Sequence, residues 1–220
     1  VSRLGIAGVR IRNEAASSGA VRGPRVTIDA APDQPTRDWQ AIQHLLAESA
    51  LALPVREAAL AIFQSLAEAE AQAHNEPIER VHFHEVGAVD AIADVVGACA
   101  GLAALGAERV VSYPVAVGAG WVTASHGTMP VPAPATANLL AAKQIPIRPN
   151  PPGPATPGEL LTPTGAAILG TLAEWQVPAF TPLRGGYGFG TKQLPWPNAL
   201  RAWVGEVDEA ADAGGEYLLE

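Results

Sequence analysis

The sequence predicts an α+β protein: a mixed or antiparallel sheet covered by helices, folded as a single compact domain that includes a helical hairpin. Three observations predict it. β-branched alternation marks residues 4–12, 24–30 and 199–207, near the two ends of the chain. Two amphipathic patterns follow one another between 36 and 75, which suits a helical hairpin. A nearly all-apolar run from 88 to 105 stops at Gly106, as a buried helix would.

In chain order, LGIAGVRIR (4–12) and PRVTIDA (24–30) read as two strands on either side of the Ser/Gly-rich EAASSGAVRG. Thr36 is expected to cap a helix reaching about Ala52, with Trp39, Ile42, Leu45 and Leu46 on one face. Pro54 opens a longer helix to about Asn75, with Val55, Ala59, Ile62, Phe63 and Leu66 inward. ERVHFHEV is extended, and the helix of 88–105 reads as buried nearly all round. Residues 108–117 and the region of Trp121–Thr123 read as strands, and a proline-led helix is expected near 133–143. The proline-rich 146–157 allows at most an edge strand. TPTGAAILGTLAEW announces the last helix, RGGYGFGT a turn, and ALRAWVGEV (199–207) a closing strand. This gives a module over 1–207 followed by an acidic tail or linker over 208–220, with no internal repeat.

A chain of 220 residues with 48% hydrophobic and 16% charged residues, 22 Gly and 20 Pro can bury a core without staples. The net charge of −8, with no local Lys/Arg cluster, argues against nucleic acid as a partner. The lone Cys99 excludes an internal disulfide framework and fits a reducing cytoplasm. No signal peptide and no uninterrupted apolar run of membrane-spanning length is visible, so no membrane is expected.

Chemistry concentrates in HFHEVGAVDAIAD, residues 82–94. On an extended segment His82 and His84 project to one side and Phe83 to the other, and two imidazoles on one face are a common start of a Ni, Zn, Co or Fe site. Glu85, at the strand-to-helix corner, is a candidate third ligand or base. Asp90 and Asp94 stand four apart, neighbours on one helical face whose stripe continues through Gly97 and Gly101. Capping at the positive end of the helix accounts for Asp90 but not for Asp94. His126 sits in a polar island, Ser125–Thr128, but no nucleophile elbow surrounds Ser125, so a Ser/His hydrolase is the weaker reading. Thr162, Thr164 and Gly165 open a helix whose free N–H groups suit an anion, although a plain Thr cap explains the same residues.

The blocks VHFHEVGAVDAIADVVGACAGLAALG, SYPVAVGAGWVTASHGTMPVPAPATANLL, GELLTPTGAAIL and GGYGFGTKQLP, the last with the nearby NALRAWVGE, resemble the nickel insertion proteins that complete the nickel-pincer cofactor of lactate racemase, over about residues 4–207. The resemblance implies a nickel chelatase of the lyase class. Such a protein forms Ni–S and Ni–C bonds in pyridinium-3,5-bisthiocarboxylic acid mononucleotide while CTP is consumed to CMP and diphosphate. On it, His82, His84, Glu85 and Asp94 hold or relay Ni2+, and Glu85, Asp90, Asp94 and His126 are candidate bases or ligands. Thr162, Thr164 and Gly165 would receive the phosphate of the mononucleotide precursor. CTP, with Mg2+ or Mn2+, belongs to a C-terminal domain that would follow 208–220 and is not in this chain. The cofactor acceptor would be an apo lactate racemase-type enzyme, and a homo-oligomer is open. Three departures from the family pattern stand out: that absent domain, a segment like DCFSGISGDM expected before Val1, and a His-rich stretch replaced here by APDQPTRDW. A nickel carrier module and a divalent-metal hydrolase of a phosphorylated small molecule are the alternatives.

Overall fold

The computed structural model describes residues 2–31, 33–81, 83, 88–124, 127–153 and 157–207. The α+β class read from the sequence is the one observed, built from five α-helices and several two-stranded sheets among the described residues. The chain gathers into two compact units: Val1–Arg10 with Ile28–Trp175, and Ile11–Thr27 with Gln176–Glu220.

The first unit is helical. Helix α1 (Trp39–Ala47) and helix α2 (Leu53–His74) form the expected hairpin, and α2 also packs on α3 (Val89–Leu105), α4 (Pro134–Ala142) and α5 (Pro163–Leu172). Ala59, Ala67 and Ala69 on α2 keep its surface narrow, so neighbours approach closely around fully buried Ile62, Phe63 and Leu66. Each such large side chain contributes about 1.5–3 kcal/mol by leaving water. Pro54 opens α2 and Asn75, in the left-handed region, ends it, as the sequence suggests. The cap of α1 is Asp38 rather than Thr36: its carboxylate accepts the Ala41 N–H at 2.8 Å. An anion on the positive helix end outdoes a hydroxyl placed two residues too early. Helix α1 also stops well before Ala52, where Ser49 Oγ donates to the Leu46 carbonyl at 2.6 Å and closes the last turn.

Short ladders connect these helices. The strand expected over 108–117 shrinks to β3 (Val110–Val111), because Pro114 cannot donate to a ladder. Its parallel partner is β8 (Ala173–Glu174). Further on, β4 (Gly118–Ala119) pairs antiparallel with β7 (Gly158–Glu159), and β5 (Trp121–Ala124) with β6 (Gly127–Pro130). Gly118, at φ +99°, lies against the Gly158 carbonyl where no side chain fits. Asn150 fixes it from another side, accepting the Gly118 N–H at 3.0 Å and donating to its carbonyl at 2.9 Å.

The second unit is β structure. The expected strands extend into EAASSGAVRG: β1 (Val9–Ser18) and β2 (Val21–Ala30) run almost to each other and turn at Gly19–Ala20. The expected glycine-rich turn RGGYGFGT likewise lies largely within a strand, β9 (Phe180–Phe189), antiparallel to β10 (Ala199–Val207) with a bulge between Val204 and Gly205. Gly23 of β2 lies so close to the Tyr187 peptide of β9 that a side chain there would collide with it.

Candidate functional site

Helix α3 shows which predicted residues can meet a ligand. Its Val89, Ile92, Val95, Val96 and Cys99 are buried, whereas Asp90, Asp94, Gly97 and Gly101 are all exposed along one stripe. The expectation of a helix buried nearly all round is therefore corrected. The residues are apolar in number, but the four at 90, 94, 97 and 101 share an open side because three- and four-residue steps keep returning to the same face. A Cβ built on Gly97 or Gly101 would meet nothing within 4 Å.

Asp90 lies in the first turn, where an anion suits the positive helix end, and its carboxylate accepts the N–H of the adjacent Ala91 at 2.9 Å; the N-cap itself is Ala88, which makes no side-chain cap bond. Asp94 has no such assignment. Its carboxyl is pushed above the ordinary carboxylate range, first because neighbouring atoms strip part of its hydration and then because Asp90 adds a like charge. A cation that relieves this repulsion would bind both carboxylates in their charged form.

His82, His84, Glu85 and His126 lie outside the described residues. Of their described neighbours in sequence, Val81 and Phe83 are each 2% exposed, and β5 ends at Ala124 and β6 begins at Gly127. Among the described residues, no three His, Cys, Asp or Glu side chains form a metal cluster. Cys99 is buried, and burial pushes its thiol up to about 11.

At α5 the hydroxyl of Thr162 accepts the Gly165 N–H at 3.1 Å, so one donor of the proposed phosphate pocket is already used by the cap; Thr164 is half-buried. A feature the sequence did not reveal is a cleft of about 230 Å³ at the C-terminal end of α3, lined by Cys99, Leu102, Val110 and Leu172 beneath an Arg109–Glu174 pair. Arg109 donates to both Glu174 oxygens, at 3.2 and 2.6 Å, and this lowers the Glu174 pKa. The two residues are 65 positions apart, and nothing local in the sequence signals their pairing.

The open carboxylate pair of α3, in a chain that gathers imidazoles and carboxylates over 82–94, supplies donor types that divalent metals take. The family model described as nickel insertion protein matches residues 1–219, and the chain belongs to that family. Its relatives carry the provisional name nickel insertion protein. That of Thermomicrobium roseum is 51% identical, covering 100% of this chain and 53% of the relative. That of Roseiflexus castenholzii is 46% identical over 92% of this chain and 51% of the relative, and that of Geobacter sulfurreducens 41% identical over 99% and 55%. The chain thus spans about half the length of the curated relatives it matches. No solved structure matches it. No helix among the described residues is long and apolar enough to cross a membrane.

Proposed function

We infer that this chain takes up nickel and presents it for insertion into an organic precursor, and the observation that carries this reading is the open Asp90–Asp94 pair of α3. Nickel is the cargo. A site that loads and then releases it needs exchangeable oxygen and nitrogen donors. Asp94 and Asp90 supply the oxygens, and His82, His84 and Glu85 supply the rest of the set in this reading. Once the metal has left for sulfur and carbon donors, a carboxylate with a raised pKa is suited to accept the proton displaced from the ring carbon as the Ni–C bond forms. Asp94 is that base, with Glu85 and His126 as the remaining candidates.

The finer reading extends the family membership. The precursor is pyridinium-3,5-bisthiocarboxylic acid mononucleotide, its phosphate meets the Thr162, Thr164 and Gly165 helix start, and the reaction runs in the cytoplasm at the expense of CTP with Mg2+ or Mn2+. The product passes to a lactate racemase-type enzyme. Because the chain spans half of its relatives, a carrier role in which the remaining half performs the CTP step is the second reading. Incubating this chain with nickel, precursor and CTP, alone and joined to the other half of a relative, separates the two. Insertion by the joined protein, with this chain alone binding nickel but making no Ni–C product, assigns this chain the carrier role; phosphate release without nickel transfer overturns both.

A further inference from the structure

We propose that one face of the β9–β10 hairpin is a docking surface for polypeptide, and that its occupant is the half of the relatives' chain that this protein does not span. In the β unit, Ile11–Thr27 with Gln176–Glu220, only Pro178 and Phe189 are buried among the described residues. Against these two stand Ile11, Val26, Leu183, Leu200 and Trp203, all between 45 and 77% exposed. A two-stranded hairpin without a packed face is marginal in water, so this unit needs a cover that its described residues do not supply.

The strand register separates a furnished face from a bare one. On the first, Gly185 and Tyr187 of β9 pair with Trp203 and Arg201 of β10. There the Trp203 ring fills the place of a Gly185 side chain, the Arg201 guanidinium lies 4.0 Å from the ring centre, and Gly23 rests on the Tyr187 peptide. On the opposite face Gly186 and Gly188 pair with Ala202 and Leu200; all four are exposed, and a Cβ built on either glycine would meet nothing within 4 Å. An antiparallel pair whose outer face meets water carries polar side chains on it. These four positions carry none, and Leu200, the one large side chain among them, is 77% exposed. Length and tether decide the occupant. The matched part of the Thermomicrobium roseum relative is 53% of it, so nearly as much polypeptide again belongs to the same molecule. The β unit runs to Glu220, and sequence continuing past that position is tethered to β10 through residues 208–220, which presents it to the face at an effective concentration on the order of millimolar. A second copy has to be recruited from solution and gains no such advantage. The face uses no residue of the helical unit, so its failure would leave the nickel reading standing.

The test compares amide hydrogen exchange in the 220-residue chain alone and in the same chain joined to the other half of the Thermomicrobium roseum relative. Joining is expected to slow exchange in β9 and β10 by about tenfold or more. Leu200→Lys and, independently, Ala202→Glu should each abolish that slowing in the joined protein while leaving exchange in the chain alone unchanged, since both positions are exposed there. Leu53→Lys, an equally drastic change at an exposed leucine of α2, should leave the slowing intact. Unfolding curves of the chain alone establish that each variant keeps its hairpins. No slowing on joining, or slowing that survives both Leu200→Lys and Ala202→Glu, would overturn the proposal. So would a dimer of the 220-residue chain in sedimentation that Leu200→Lys splits, which assigns the face to a second copy, or binding to phosphatidylcholine vesicles that Leu200→Lys removes, which assigns it to lipid.

Discussion

The two sides of α3 come from one short, apolar-rich stretch and meet opposite surroundings. On the closed side Ile92, Val95 and Cys99 pack with Phe63 and Leu66 in the core of the helical unit. On the open side Asp90, Asp94, Gly97 and Gly101 face water with room around them. Packing explains the first set completely. It does not explain the second, since two glycines inside a helix are poor helix formers and two adjacent carboxylates repel. The difference teaches that the open side is shaped by something other than the stability of this fold.

Substitutions can break or sharpen that contrast. The largest effect belongs to the closed side: Ile92→Ala should cost about 2–5 kcal/mol of unfolding free energy in denaturant titrations, because the fully buried site cannot collapse around the lost atoms. On the open side the sign should reverse. Gly97→Ala should raise stability by about 0.5–1 kcal/mol, since helix propensity improves and the new methyl meets nothing. A loss of stability instead would show that the face is covered.

Asp94→Asn should bring a smaller gain, seen as a higher Tm at neutral pH. The sign follows from its raised pKa: the folded state binds the proton more readily than the unfolded one, so the charged carboxylate costs stability at high pH. That cost is full above the folded pKa and gone below the ordinary value of 3.8, where wild type and variant should melt together. The smallest effect should come from Glu174→Gln at the exposed Arg109 pair. Because the Glu174 pKa is lowered, its contribution is present above the ordinary 4.5 and is lost as pH falls through the folded value, and added salt should weaken it.

The helical part of the fold was legible where periodicity and punctuation agree. Pro54, Asn75, Gly106 and Thr162 mark helix ends in the sequence and do so in the structure. The β parts were less legible. EAASSGAVRG and RGGYGFGT are rich in small residues that signal turns, yet they lie largely within strands; Gly23 sits against the Tyr187 peptide where a side chain would collide, whereas Gly186 and Gly188 have open space. For the site, the four-residue spacing of Asp90 and Asp94 correctly placed both on one face, and a tally of apolar residues wrongly closed that face. The Arg109–Glu174 cleft joins residues far apart in the chain, so no local pattern could reveal it.

Equilibrium dialysis of Ni2+ against the wild-type chain and Asp94→Ala tests the central claim, that the open side of α3 is a nickel face, most directly. The account predicts that wild type binds nickel, and that Asp94→Ala weakens it by about tenfold or more, as loss of a charged ligand should, while unfolding stability is not reduced. Equal nickel affinity in the two proteins would contradict it.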